Sequence, residues 1–135
     1  MAAPQLGQPA LMEDHPGVLI LVDDDPAVLS ALKFSLEIEG YSVRAYADGE
    51  SLLAEQNFPF LGCLILDYRL PRMNGLQLLA ELRKRRINLP AVLITTPEPK
   101  VLAQAAAAKI PIVSKPLLGS TLLDKVRELL KPLAG

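Results

Sequence analysis

Apolar segments of strand length recur along this chain between segments of helix length, and that alternation limits the fold more than any other feature. Gly17-Val-Leu-Ile-Leu-Val22 is a continuous apolar run, as expected for a strand covered on both faces. Asp25 is placed to cap a helix with Pro26 at its first position, running to Glu39 and closed by Gly40. Along it Ala27, Ala31, Phe34 and Ile38, with Val28 and Leu32 beside them, form the expected apolar face. Tyr41 to Tyr46 reads as a short strand, Ser51 to Gln56 as a short helix, and Leu61 to Leu66 as a second apolar strand ending at Asp67. A loop with the turn formers Pro71, Asn74 and Gly75 follows. Leu76 to Arg86 reads as a helix, Ala91 to Thr95 as a strand and Val101 to Lys109 as an alanine-rich helix. Ile110 to Ser114 is a last strand and Leu118 to Leu130 the closing helix. Such alternation predicts an α/β fold with a parallel sheet and helices on both faces.

Composition narrows the function classes. Half of the 135 residues are apolar, enough for one buried core, and a net charge of −1 gives no general attraction to nucleic acid or anionic membrane. There is no apolar run of the roughly 18 residues that a membrane helix needs. The single Cys63 cannot form an internal disulfide and fits a reducing, cytoplasmic setting. Residues 1–16 lack the basic start and apolar stretch of a signal peptide and read as a disordered leader to a domain over 17–135.

The strands end on polar residues. The first ends in Asp23-Asp24-Asp25, the third in Asp67, the fourth in Thr95-Thr96 and the fifth in Ser114-Lys115-Pro116. In a parallel sheet these ends share one edge, the edge where such folds bind ligands. Clustered carboxylates repel each other by about a kcal/mol or more per close pair. Oxygen ligands with open positions suit Mg²⁺, which keeps several waters. A carboxylate beside a divalent ion and a lysine is a feasible phosphoryl acceptor, with a hydroxyl bonding a further oxygen. The chemistry expected is in-line transfer to Asp67.

The motifs Leu-Val-Asp-Asp-Asp-Pro (21–26), Leu-Ile-Leu-Asp-Tyr-Arg-Leu-Pro-Arg-Met-Asn-Gly (64–75), Leu-Ile-Thr-Thr (93–96) and Ser-Lys-Pro (114–116) resemble bacterial two-component response regulators. The resemblance covers roughly Gly17 to Leu133 and implies a doubly wound, flavodoxin-like sandwich with strand order 2-1-3-4-5 and five helices. It implies Asp67 as the phospho-acceptor, with Asp23, Asp24, Asp67 and the backbone carbonyl of Arg69 holding Mg²⁺. Thr95 would be the switch hydroxyl and Lys115 the partner of the phosphate, followed by a cis peptide at Lys115–Pro116. The donor would be a histidine kinase or phosphotransferase. The response would be altered binding of a protein partner, or onward transfer or draining of phosphate. Such a chain would act as an enzyme only on itself, and no output domain is expected after the last helix.

Departures from the family pattern point to the switch. Ile112 stands where an aromatic residue is common, and Thr96 where a very small residue is usual, which predicts narrower access to the site. Pro97 and Arg69 occupy the two variable positions that tune phosphoryl lifetime; Arg69 reaching over the site and Pro97 orienting no water predict slow autodephosphorylation. The stretch from Thr95 to Lys115 is slightly short, and Pro97-Glu98-Pro99 predicts a fourth helix that begins late, near Pro99, and is short. A homodimer through the 97–130 region is the expected form of an altered output surface. Milder readings cover other residues: Asp25 as an N-cap rather than a ligand, Arg83 to Arg86 as partners of a helix dipole, Cys63 as core and His15 as surface. Rival functions are a never-phosphorylated interaction module, a phosphohydrolase and a flavin-binding redox protein. The acid residues argue against the first. Arg69, where a second aspartate would be needed, argues against the second, and the lack of a phosphate loop after the first strand argues against the third.

Overall fold

The computed structural model describes residues 17–115, 117 and 120–130. Five parallel strands, β1 (Val18–Val22), β2 (Ser42–Tyr46), β3 (Gly62–Asp67), β4 (Ala91–Thr95) and β5 (Ile112–Ser114), lie in the order β2-β1-β3-β4-β5. Between them run α1 (Pro26–Ile38), α2 (Gly49–Leu53), α3 (Gly75–Lys84) and α4 (Pro99–Ala107), with α5 (Thr121–Leu130) after β5. The doubly wound order expected from the sequence is the observed one. No described helix is long and apolar enough to cross a membrane.

Period-two alternation along the strands divides the core in two. Ile20, Val22, Leu64, Leu66 and Leu93 face one way and pack with Leu52, Leu78, Leu82, Val101 and Ala105. Leu19, Leu21, Cys63, Ile65 and Val113 face the other and pack with Leu36, Leu122 and Val126. Helices α2, α3 and α4 therefore cover one face, and α1 and α5 the other. β3 and β4 are buried along their whole length, so their apolar side chains are committed to the two cores and only their last residues, Asp67 and Thr95, are polar.

Local boundaries follow from caps. The Asp48 side chain accepts from Ser51 N at 2.7 Å, so α2 starts at Gly49 rather than Ser51. Asn74 and Gln77 form a reciprocal capping box, which starts α3 at Gly75. Positive φ at Arg86 and at Lys109 falls just past α3 and α4 and ends both helices before the boundaries read from sequence. α4 is nine residues long and opens at Pro99, so the short, late fourth helix is observed. β5 begins at Ile112 because Pro111 has no N–H to give a ladder; its carbonyl still accepts from Leu93 N at 2.9 Å.

The face assigned to α1 needs correction. Phe34 and Ile38 are 67% and 65% exposed, and Ala27 and Ala31 also face solvent. The inward stripe is Leu29, Leu32 and Leu36, which pack into the second core. Two apolar stripes run along this helix, and three leucines fill the space above the sheet where alanines would leave a gap. The leader at residues 1–16, the Lys115–Pro116 peptide and the start of the closing helix at Leu118 lie outside the described residues.

Candidate functional site

Strand register brings the polar residues together. Val22 pairs with Leu66 and Asp67 with Ile94, so Asp23 and Asp67 leave adjacent strands at one level. Thr95 pairs with Ser114, which sets Lys115 one step beyond, its N–H donating to the Thr95 carbonyl at 3.0 Å. Among the described residues the buried polar side chains are Asp23, Asp67 and Thr95, at 1%, 3% and 2% exposure. All three sit at this single edge, while the rest of the buried interior is apolar.

Carboxylate oxygens of Asp23, Asp24 and Asp67 lie within 4.8 Å of one another. Asp23 Oδ1 accepts from Asp25 N at 2.9 Å, whereas its buried Oδ2 has no hydrogen-bond partner among the described residues. Burial raises the Asp23 carboxyl above its ordinary range; the Asp25 N–H opposes this, the Asp67 charge adds to it, Lys115 lowers it, and Asp24 adds again. An unsatisfied buried carboxylate oxygen among two other carboxylates is a donor set for a hard cation. On the other side of Asp67, Lys115 Nζ lies 3.2 Å from Oδ2. The Arg69 N–H points at Oδ1 from 3.3 Å.

The loop after β3 is pinned on three sides. Tyr68 N donates to Ile94 O at 2.9 Å and Gly75 N to Tyr68 O at 2.8 Å. A Cβ on Gly75 would stand 2.5 Å from the Asp67 carbonyl oxygen, so only glycine lets α3 begin this close to Asp67. Arg72, with φ of 67°, pairs with Glu50 at 2.8 Å and Asp48 at 3.3 Å, tying the loop to the start of α2. Arg69 extends its guanidinium to Glu98, Nη2 to Oε2 2.7 Å, and the Tyr68 hydroxyl donates to Gln104 Oε1 at 3.4 Å.

Of the residues singled out in the sequence, Asp23, Asp24, Asp67, Thr95 and Lys115 meet at this edge, and the Arg69 backbone lies beside them. Asp25 caps α1, accepting from Ala27 N at 3.0 Å. The Thr95 hydroxyl donates to the Thr96 carbonyl at 3.2 Å. Thr96 lines, with Asp25, Val28, Ala31, Leu32, Lys115 and Leu117, an open depression of about 700 Å³ beside the site. Ile112 is half-buried against the first core, and Pro97 is exposed. Sequence reasoning missed Glu98 and Gln104. Their partners are 29 and 36 positions away, and no local pattern pairs residues at that range.

Comparison with known proteins gives one family. A family model described as the response regulator receiver domain matches residues 19–127. The response regulator protein TodT of Pseudomonas putida is 32% identical over 122 residues, covering 89% of this chain and 54% of that protein. The transcriptional regulatory protein FixJ of Rhizobium meliloti is 29% identical over 108 residues, 78% of this chain and 53% of that protein. The chain thus spans about half the length of these curated relatives. Among solved structures, a CheY-like receiver domain protein from Methanospirillum hungatei superposes with TM-score 0.75 at 30% identity, over 84% of this chain and 92% of that one. TrrA from Thermotoga maritima, solved in complex with Mg²⁺ and beryllofluoride, superposes with TM-score 0.71 at 27% identity, over 84% of this chain and 98% of that one.

Proposed function

The chain belongs to the response regulator receiver domain family, and from that premise we propose that Asp67 accepts a phosphoryl group from a phosphohistidine on a kinase or phosphotransferase. The observation that carries this reading is the setting of Asp67. Its carboxylate lies between a lysine ammonium at 3.2 Å and a buried aspartate oxygen without a partner among the described residues. Asp23, Asp24, Asp67 and the Arg69 backbone carbonyl would hold Mg²⁺. The ion would supply charge neutralisation between Asp67 and an incoming phosphoryl group. TrrA, a structural relative, carries Mg²⁺ with beryllofluoride.

In the transfer, a carboxylate oxygen of Asp67 forms a bond to phosphorus as the phosphorus–nitrogen bond of the donor histidine breaks. The electron pair stays on the imidazole, which takes a proton from water. Lys115 then meets a phosphoryl oxygen with the ammonium that it now gives to Asp67. The Thr95 hydroxyl, which donates to the neighbouring Thr96 carbonyl at 3.2 Å, rotates to donate to another. The protein's contribution is position and charge rather than covalent chemistry of its own.

The downstream response is a change in affinity for a protein partner through the region 97–130, which contains the short α4, β5 and α5. Incubation with acetyl phosphate and Mg²⁺ tests the acceptor. The intact protein should gain one phosphoryl group, and Asp67→Asn or chelation of Mg²⁺ should abolish the gain. Labelling that persists in Asp67→Asn, or that never occurs in the wild type, overturns the proposal and favours a pure interaction module.

A further inference from the structure

The two residues that follow Asp67 both grip α4, and one of them does so with a charge. Arg69 is anchored at the site by its own backbone, whose N–H lies 3.3 Å from Asp67 Oδ1. Its guanidinium nevertheless turns outward to Glu98, at 2.7 Å. Glu98 is the N-cap residue of α4, in extended conformation, yet its side chain makes no cap hydrogen bond. Pro99 at the next position has no N–H to offer it. The carboxylate best placed to meet the positive end of the α4 dipole is instead engaged by Arg69.

This arrangement has two alternatives for one guanidinium. The ion pair is exposed on both sides, so water screens it and it is weak. A phosphoryl group on Asp67 would offer more negative charge and three acceptor oxygens, within reach of a side chain whose backbone already touches that carboxylate. A guanidinium fork matches phosphate oxygens two at a time, whereas its hydrogen bond to Glu98 is through a single nitrogen.

We infer that the Arg69–Glu98 ion pair is a phosphorylation-sensitive latch: phosphorylation of Asp67 draws Arg69 onto the phosphoryl oxygens and releases the start of α4. Arg69 then shields the acyl phosphate from water, and Glu98 acts as the competitor that shortens that shielding. The inference rests on Asp67 being the acceptor. It makes Arg69 and Glu98 positioning residues that join phosphoryl lifetime to the mobility of α4.

Two readouts on the whole chain test it. Acyl-phosphate lifetime is measured after removal of acetyl phosphate, and amide hydrogen exchange is measured over residues 100–103 with and without beryllofluoride and Mg²⁺. Glu98→Gln should lengthen the lifetime about two- to five-fold, the scale of one exposed ion pair, and Arg69→Gln should shorten it. Exchange in α4 should accelerate when the wild type takes beryllofluoride. In Glu98→Gln it should be fast already and respond little. Failure of the wild type to label at all overturns the acceptor reading and the latch with it. Normal labelling of the wild type, with lifetimes unchanged in both variants or with beryllofluoride accelerating exchange in Glu98→Gln as much as in the wild type, overturns the latch alone.

Discussion

Replacing Asp23 by asparagine should stabilise the metal-free protein and weaken its response to Mg²⁺, so that the order of the two proteins inverts. Asp23 and Asp67 are almost fully buried, with carboxylate oxygens within 4.8 Å. Two unit charges at that separation repel by about 0.9 kcal/mol in water and about 3.5 kcal/mol at the effective dielectric of a partly buried site. Lys115, at 3.2 Å from Asp67, offsets part of this, leaving a net gain of about 1–2 kcal/mol for the asparagine. Asparagine keeps the oxygen that accepts from Asp25 N and places an NH₂ where Oδ2 has no partner among the described residues. For a domain of this size the gain is a rise of about 3–10 °C in Tm.

The pH dependence follows from the raised carboxyl of Asp23. The folded state binds this proton more tightly than the unfolded chain, so stability falls as pH rises from the ordinary value of 3.8 through the raised folded value. The advantage of the asparagine is therefore full above the raised folded value and shrinks as pH falls through that window. Saturating Mg²⁺ should stabilise the wild type by about 3 kcal/mol at a hundredfold excess over Kd, and the variant, lacking one carboxylate ligand, by much less. Thermal melts in EDTA and in Mg²⁺ at pH 7 make the comparison. An asparagine variant less stable than wild type in EDTA, or one stabilised equally by Mg²⁺, would refute the reasoning.

Other consequences are simpler to check. Burial pushes the Cys63 thiol up to about 12, so an aromatic disulfide reagent at pH 8 should react only at the rate of unfolding, and rapid reaction of the native protein would contradict its place in the core. Leu36→Ala should cost about 2–5 kcal/mol in urea melts, whereas Phe34→Ala on the exposed side of α1 should cost well under 1 kcal/mol; equal losses would mean that α1 is rotated. Thr96→Ala, beside Lys115 at the mouth of the site, should speed labelling by acetyl phosphate a few-fold, and unchanged rates would remove Thr96 as a barrier. Sizing with and without beryllofluoride and Mg²⁺ should reveal a dimer only when both are present. Substitution of exposed Leu102 on α4 by glutamate should abolish that dimer.

The strands and their polar ends were legible because β1, β3 and β4 are nearly all apolar and leave one residue type, aspartate or threonine, at the point where burial stops. Parallel pairing does the rest: once Val22 is level with Leu66, Asp23 and Asp67 have no choice but to meet. The α1 face was not legible, since Ala27, Ala31, Phe34 and Ile38 keep the same helical period as Leu29, Leu32 and Leu36. Only the sheet beneath decides which stripe turns in. Helix ends were displaced by caps that act over three residues, such as Asp48 on Ser51. Glu98 was hidden for a different reason. Between two prolines it reads as loop, and its meaning depends on a guanidinium contributed from the loop after β3.

The hydrogen bonds at the strand ends also decide where a signal from Asp67 can go. Behind Asp67, Leu64, Ile65 and Leu66 are locked in close-packed cores on both faces, which resist small displacements. Sideways, Tyr68 N binds Ile94 O and Lys115 N binds Thr95 O, so β3, β4 and the end of β5 are joined by two backbone bonds at the level of the site. Half-buried Ile112 has no polar group to take part in a rearrangement. Tyr68 and Arg69, by contrast, already touch α4 at Gln104 and Glu98 through polar atoms that can exchange partners. A charge added at Asp67 would thus be transmitted most readily toward α4, through the loop that follows it. Phe replacing Tyr68 deletes the hydroxyl that donates to Gln104 and accepts from Asn74 Nδ2 at 3.5 Å, and leaves the ring in place. If this route is right, the variant should keep its labelling rate while the beryllofluoride-induced change in α4 hydrogen exchange diminishes, and an undiminished change would place the route elsewhere.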